Sequence, residues 1–171
     1  MPFLFRALAL AAAAFSLVAL AGCDAQRISE LQPGISTEAD VRDRFGVPET
    51  IWDEADGART LEYNRQPAGQ INYMITVGAD GRLVAVRQVL TPENFARIQP
   101  GMDMAEVRRL LGKPAKVTPF DRKNETHHDW RYLEAPNTAM LFTVVTDRSL
   151  RVLRTQSGPD MTAPENAGGG R

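Results

Sequence analysis

The sequence predicts an α+β fold of two tandem modules, each with two short helices packed on a three-stranded antiparallel sheet. Three observations predict this fold. The signals that start and stop short helices occur twice, ending at Gly46 and again at Gly112. Each set of signals is followed by runs rich in β-branched and aromatic residues, which are typical of strands. Turns of only a few residues join the last two runs of each module, so these strands must run antiparallel.

Helix signals are clearest in the second module. Thr91 can cap a first helix with Pro92 in the first helical position, where a missing N–H costs nothing. Asp103 can cap a second helix, and Glu106 lies three residues further on, as a capping box requires. The apolar stripe of this second helix consists of Met104, Val107, Leu110 and Leu111, and Gly112 ends it.

The first module repeats this arrangement. Thr37 is the predicted cap of its second helix, and Gly46 ends that helix nine residues later. The same spacing of nine residues separates Asp103 from Gly112, and a Val-Arg pair recurs inside both helices. We therefore interpret the chain as an internal repeat, with the first module at residues 23–90 and the second at 91–156.

Strand-like runs follow the helices in both modules. One face of the first sheet is predicted to face the helices, because apolar residues alternate along its middle strand at Ile71, Tyr73, Ile75 and Val77. Helices of about eight residues are marginal alone in water, so their stability depends on the sheet. We expect the two small modules to pack on each other or to extend one sheet. The predicted strands are Arg59–Asn64, Gln70–Val77, Arg82–Leu90, Asp129–Leu133, Ala139–Thr146 and Leu150–Thr155.

Residues 1–22 have the features of a secretory signal peptide, with an early positive charge followed by an apolar run. The run ends in Leu-Ala-Gly-Cys, which resembles a bacterial lipobox and predicts cleavage before Cys23 and acylation of Cys23. Two or three acyl chains would hold the protein at a membrane almost permanently. The alternative is a buried cysteine in an ordinary signal-anchored protein. Cys23 is the only cysteine, so no disulfide can form within the chain.

The charge balance argues against binding of nucleic acid, and the composition of the C-terminal residues predicts a disordered tail. The full sequence has 20 basic and 21 acidic residues, so it offers no electrostatic argument for binding nucleic acid. The C-terminal residues 157–171 are rich in Gly, Pro, Ala and polar residues and lack an apolar period. This composition predicts a disordered tail.

Motifs of catalytic, metal and cofactor sites are missing from the sequence. The histidines His127 and His128 are adjacent, so on an extended chain they point to opposite sides and cannot chelate one ion. We expect them in a solvated loop before the strand at Asp129. No nucleophile elbow is present, and no Gly-rich phosphate loop precedes a helix. The sequence therefore predicts no enzymatic activity, no metal and no cofactor.

Large aromatic side chains and nearby arginines remain as candidates for binding another protein, because both types dominate interface hot spots. Two of the aromatic residues are predicted in corresponding loops of the two modules, and two more share one face of a strand. The alternative is that these aromatic residues pack under long loops. The candidate partner-binding residues are Trp52, Phe120, Arg122, Trp130, Arg131 and Tyr132.

The sequence resembles the BamE family, also called SmpA/OmlA, of outer-membrane lipoproteins. The resemblance rests on the lipobox cysteine, the segment "IQPGMDMAEVRRLLGKP", the "PF" at 119–120, the "WRY" at 130–132 and the closing hairpin. It implies a helix-helix-strand-strand-strand fold, no cofactor, and an accessory subunit that contacts the other lipoproteins of the barrel-assembly machinery and anionic lipid. Members of the family commonly hold one module, so the tandem is a departure.

The expected function is therefore that of a lipid-anchored scaffold subunit of outer-membrane β-barrel assembly, facing the periplasm. Asp24 argues for the inner membrane instead, because an aspartate after the acylated cysteine tends to retain lipoproteins there in well-studied enteric bacteria. The tandem modules also resemble periplasmic inhibitors of β-lactamase, and fold alone does not determine function. The alternative function is therefore a periplasmic lipoprotein that binds and inhibits an enzyme.

Overall fold

A computed structural model describes residues 24–163 of the chain. The chain divides into two compact units, Met1–Gln32 and Pro33–Arg171. The described part of the first unit contains helix α1 (Asp24–Ser29). The predicted signal peptide, the predicted acylation site Cys23 and the last eight residues lie outside the described residues.

The second unit contains two antiparallel sheets of four strands each, with the strands of each sheet in chain order. The first module comprises α2 (Glu38–Phe45), β1 (Thr50–Asp53), β2 (Arg59–Asn64), β3 (Asn72–Val77) and β4 (Leu83–Gln88). The second module comprises α3 (Pro92–Phe95), α4 (Met104–Leu111), β5 (Lys116–Phe120), a 3-10 turn at Asp121–Lys123, β6 (Glu125–Glu134), β7 (Thr138–Thr146) and β8 (Val152–Pro159).

The predicted α+β fold class is confirmed, with the correction that each sheet has four strands and not three. The additional strands, β1 and β5, follow α2 and α4 and lie at sheet edges. β5 contains Pro119, which an edge strand tolerates because its missing N–H removes no bond from a central ladder. Trp52 and Phe120 therefore lie on edge strands and not in loops.

Two further boundaries differ from the predicted ones. β6 begins at Glu125, so His127 and His128 lie within a strand and not in a solvated loop. β8 continues to Pro159, because its last residues pair with β7 despite their tail-like composition. The Asp160 N–H then donates to the Ala139 carbonyl at 3.0 Å. The part of the predicted disordered tail before residue 164 is therefore incorporated into the fold.

Helix caps form as the sequence predicts. The Thr37 N–H donates to Asp40 Oδ2 at 2.8 Å, and the Asp40 N–H donates to Thr37 Oγ1 at 3.3 Å, which completes a capping box. The Asp103 N–H donates to Glu106 Oε2 at 2.9 Å in the second module. α3 is only one turn long, from Pro92 to Phe95.

The inner face of each sheet packs on the helices of its own module. In the first module, the Phe45 ring lies 5.2 Å from Tyr63 and 5.8 Å from Tyr73, measured between ring centroids. The predicted inward face of β3 is correct at Tyr73, Ile75 and Val77, which are all buried. The core of the second module includes Val107, Leu111, Trp130, Phe142 and Val144.

The same backbone contacts recur in both modules. The Tyr63 hydroxyl donates to the Gly46 carbonyl at 3.1 Å, and the Trp130 Nε1–H donates to the Gly112 carbonyl at 3.0 Å. Each contact joins an aromatic residue of the second strand to the glycine that ends the preceding helix. The Gly34 N–H donates to Leu83 and the Gly101 N–H donates to Val152, both at 2.8 Å.

Helix α4 contacts both sheets and so joins the two modules. Its apolar stripe packs in the core of the second module, and its C-terminal end contacts the outer face of the first sheet. There the Lys113 N–H donates to Glu62 Oε1 at 2.7 Å. Asn72 Nδ2 donates to the Leu111 carbonyl at 2.8 Å and to the Lys113 carbonyl at 3.2 Å. We call this contact between Glu62, Asn72 and the end of α4 the module junction.

The terminal glycines of α2 and α4 allow a matched test of the module junction. Both have a positive φ, +84° at Gly46 and +75° at Gly112, with ψ of −153° and −170°, a region open almost only to glycine. A Cβ at Gly46 meets no atom within 4 Å, whereas one at Gly112 lies 3.0 Å from Asn72 Nδ2.

We expect Gly46→Ala to lower the free energy of unfolding by roughly 1–3 kcal/mol, from backbone strain alone. Gly112→Ala should cost about 1–3 kcal/mol more, because it also displaces a buried hydrogen-bonded amide. Urea unfolding of both variants measures the difference. Equal losses would show that the hydrogen bonds of the module junction contribute nothing to stability.

Candidate functional site

Two of the six predicted partner-binding residues, Trp130 and Tyr132, lie in the core. Their side chains are 0% and 4% exposed. The Phe95 ring packs edge-on against Tyr132 at 4.9 Å and stacks on Phe142 at 4.1 Å, and Trp130 lies 6.5 Å from Phe142. The structure therefore corrects the prediction for these two residues, because a side chain without exposed surface cannot contact a partner. Both residues lie on the face of β6 that packs on the helices of the second module, which explains their burial.

Arg131, on the opposite face of β6, makes contacts within the chain. Its Nε donates to Asp160 Oδ2 at 2.6 Å, and its Nη1 donates to the Pro67 carbonyl at 2.9 Å. The Gln66 side chain also bonds the Arg131 backbone, accepting from its N–H at 3.2 Å and donating to its carbonyl at 2.7 Å. Arg131 thus ties the β2–β3 connection and the C-terminal segment to β6.

Asp160 is a buried carboxylate held in its charged form. Burial by itself raises the pKa of the Asp160 carboxyl, but hydrogen bonds from Thr162 and Arg131 outweigh this and hold the pKa below its ordinary value. Thr162 donates to Asp160 Oδ1 through its hydroxyl at 2.6 Å and its N–H at 3.0 Å. These bonds give a specific reason why the segment after β8 follows the sheet.

Phe120, the last residue of β5, and Arg122, in the turn that follows it, belong to a segment that we call the β5–β6 tip (residues 120–124). Phe120 is 41% exposed, and its ring lies 4.3 Å from the ring of His127. Arg122 and Lys123 are exposed on the 3-10 turn. Asn124 closes the turn with a φ of +55°, a conformation that asparagine tolerates better than most residues. The tip presents an aromatic ring beside two cations.

A salt bridge at the base of the tip fixes the start of β6 to β8. Arg154 donates to both carboxylate oxygens of Glu125, at 2.8 and 2.9 Å, and His127 Nε2 lies 3.5 Å from Glu125 Oε2. The hydrogen bonds from Arg154 lower the pKa of Glu125 from 4.5 to about 2. A two-point contact of this kind holds both side chains in one geometry.

The two histidines point to opposite faces of β6, as their adjacency predicts. His127 is on the face of Phe120, whereas His128 is buried and lies 3.1 Å from Thr146 Oγ1. Burial lowers the pKa of His128, because it disfavours the charged imidazolium. Among residues 24–163, no group of three or more His, Cys, Asp or Glu side chains is arranged to hold a metal ion.

Trp52 lies on β1 beside the module junction. The Arg109 guanidinium lies 5.1 Å above its ring, within the range of a cation–π contact. Arg109 also lies 3.8 Å from the Glu54 carboxylate. Trp52 is half-buried, and its Nε1 has no hydrogen-bond partner among the described residues. Its position favours a role between the modules over a role in a free docking surface.

Sequence reasoning missed Glu62 and Asn72, the polar residues of the module junction. Both are 0% exposed. A Glu or Asn that alternates with apolar residues along a strand normally indicates a face in contact with water. No signal in the sequence distinguishes that face from one covered by another module.

Residues 88–137 match the family model of the outer membrane protein assembly factor BamE domain. This chain carries a BamE domain. The match extends from the end of β4 through α3, α4, β5 and β6, so it includes the β5–β6 tip. It excludes β7, β8 and the greater part of the first module. Among curated proteins, none matches the chain.

Two solved structures are weakly similar to this chain. The crystal structure of a DUF4309 family protein (YjgB) from Bacillus subtilis has 18% sequence identity, a TM-score of 0.29, and covers 76% of this chain and 82% of that chain. A putative β-lactamase inhibitor protein from Streptococcus mutans has 8% identity, a TM-score of 0.33, and covers 76% and 91%. Neither TM-score is high enough to support a statement about function.

Between residues 24 and 163, no helix is long and apolar enough to cross a membrane.

Because Trp130 is buried and Phe120 is partly exposed, truncating each side chain should cost different amounts of stability. Trp130→Ala should lower the free energy of unfolding by about 3–5 kcal/mol, because it leaves a cavity in the core. Phe120→Ala should cost about 1 kcal/mol or less, because the ring is partly exposed at an edge strand. Thermal or urea unfolding measures both. A large loss for Phe120→Ala would assign that ring to the core as well.

Acid stability tests the salt bridge between Glu125 and Arg154. Because the pKa of Glu125 is lowered to about 2 in the folded state, the bridge stabilises the fold above pH 4.5 and this contribution is lost as the pH falls towards about 2. We expect Glu125→Gln to flatten the fall in unfolding free energy across that window. Glu134→Gln, at an exposed position of the same strand, is the control and should keep the wild-type slope. Identical slopes for all three proteins would contradict the assignment.

Proposed function

We propose that this protein is a non-enzymatic accessory subunit of outer-membrane β-barrel protein assembly. The observation that carries the proposal is the BamE domain at residues 88–137, since that family is one of outer-membrane protein assembly factors. The described surface supports a binding role, because the exposed Phe120 ring is followed in the chain by the exposed cations Arg122 and Lys123.

The β5–β6 tip is the proposed contact with the assembly machinery. Of the six candidate residues, Phe120 and Arg122 combine exposure with a position inside the BamE domain. An exposed aromatic ring beside an arginine has the composition of an interface hot spot. The bridge between Glu125 and Arg154 holds the base of the tip, so a partner would meet a preorganised surface.

We infer that the two modules arose by duplication and that the first supports the second. The recurring contacts of Gly46 and Gly112 with the aromatic residue of the following sheet favour this reading. The BamE match covers part of the second module only. The first module would then contribute its sheet to the module junction, while the second presents the tip.

Acylated Cys23 is the proposed attachment to the periplasmic face of the outer membrane. The lipobox-like sequence before it supports this proposal, and two or three acyl chains suffice for stable attachment. The cations Arg122 and Lys123 at the tip would also favour contact with anionic lipid.

A photo-crosslinker in place of Phe120 tests this function in cells. The expected result is a covalent adduct with a subunit of the barrel-assembly machinery, recovered from the membrane fraction and identified by mass spectrometry. Leu150 is a matched control position, because it is 47% exposed and lies in the β7–β8 connection. The same crosslinker there should not give this adduct.

The Cys23→Ser variant completes the experiment. It should release the protein from the membrane fraction and reduce the adduct at position 120. Equal adducts from positions 120 and 150 would contradict the proposed contact surface. An adduct with a soluble periplasmic enzyme would favour the alternative, an inhibitor lipoprotein.

A further inference from the structure

A basic cavity lies beside the module junction, between the first sheet and the helices of the second module. Its volume is about 250 Å³, and it opens to solvent. Arg87 on β4 lines one side, and Arg97 and Arg109 line the other. Met74 and Leu110 add apolar wall. Both modules are therefore needed to build the cavity.

The positive charge of this cavity is poorly neutralised by the protein. No carboxylate lines it. Arg97 Nη1 donates to the neutral Asn94 Oδ1 at 3.2 Å, and neither Arg87 nor Arg97 has an acidic partner within ion-pair distance among the described residues. Arg109 lies 3.8 Å from the Glu54 carboxylate, but this pair is largely exposed and therefore weak.

Two of the guanidinium groups are held in place by neutral contacts. Asn94 donates to the Val89 carbonyl at 3.0 Å while its Oδ1 accepts from Arg97, so it orients that arginine. The Trp52 ring packs against Arg109. Arg87 lies opposite Met74 in the β3–β4 ladder, which directs it to the same outer face of the first sheet. Positioned guanidinium groups that have no acidic partner, as for Arg97, or only a weak one, as for Arg109, are the usual recognition elements for phosphate oxygens.

We propose that this cavity binds a phosphate group, with Arg87, Arg97 and Arg109 as its ligands. The phosphate belongs either to a soluble phosphate monoester or to a phospholipid headgroup, which share the charged oxygens that guanidinium groups bind. The site goes beyond the proposed contact with the assembly machinery, because it uses residues of the first module and none of the β5–β6 tip.

Calorimetric titration of the purified full chain with inorganic phosphate, and separately with glycerol 3-phosphate, tests the site. Arg87→Gln and Arg97→Gln should each weaken binding about tenfold, as expected for the loss of one charge-assisted contact. Arg148→Gln is the matched control, because it removes one exposed arginine from the β7–β8 connection and the same net charge. It should bind like the wild type. Urea unfolding of each variant confirms that the fold is intact.

Vesicles distinguish the two sources of phosphate. Sedimentation with phosphatidylcholine vesicles, with and without phosphatidic acid, is compared for the same variants of a Cys23→Ser chain, which lacks its own anchor. Binding to the soluble probes identifies a monoester site, and binding to phosphatidic acid vesicles alone identifies a headgroup site, provided that Arg87→Gln weakens it more than Arg148→Gln. The proposal is overturned by no binding in either arm, or by equal losses for cavity and control variants. Either result leaves the crosslinking test at position 120 unaffected.

Discussion

The buried carboxylate of Glu62 is the constraint on which the arrangement of the two modules depends. Its side chain is 0% exposed, on the outer face of a sheet whose inner face already packs on α2. Leaving such a charge buried without partners would cost several kcal/mol. The backbone N–H of Lys113 donates to Glu62 Oε1 at 2.7 Å. The Arg108 guanidinium lies 3.6 Å from the same oxygen and supplies an opposite charge. Both belong to the second module, so the first sheet reaches its observed environment only when α4 is in place.

The same contact supplies hydrogen-bond partners to the C-terminal end of α4. The last carbonyls of a helix have no partner within it and must find one elsewhere. Asn72 donates to the Leu111 carbonyl from the first module, and Trp130 donates to the Gly112 carbonyl from the second. A helix of eight residues is too short to be stable alone, so its stability comes from these contacts and from its buried stripe. Gly112 is therefore the point at which the folding of the two modules is coupled.

Local signals in the sequence predicted the local structure well, and nonlocal contacts explain the rest. Capping boxes at Thr37 and Asp103 depend on residues three positions apart, so they could be read directly. Strands β1 and β5 were missed because short edge strands, one of them containing a proline, have weak strand signals. Phe120 and Trp130 were both candidates as large aromatic residues, yet Phe120 is exposed and Trp130 is buried. The type of a side chain alone does not reveal whether it lies on the face of the strand that packs on the helices.

The outer faces of the two sheets differ in how their carboxylates find hydrogen-bond partners. Asp129 occupies the register position of Glu62, because the Ala115 N–H donates to its carbonyl as the Glu49 N–H donates to that of Glu62, each at 2.8 Å. Yet the Asp129 carboxylate accepts from Thr143 of the adjacent strand at 2.6 Å, so it needs no partner from another module. The outer face of the first sheet therefore depends on α4 to satisfy its carboxylate, whereas the outer face of the second sheet satisfies its own carboxylate and contacts the first module through Arg131. Under the proposed function, this asymmetry would leave the β5–β6 tip available to a partner while the first module supports the second.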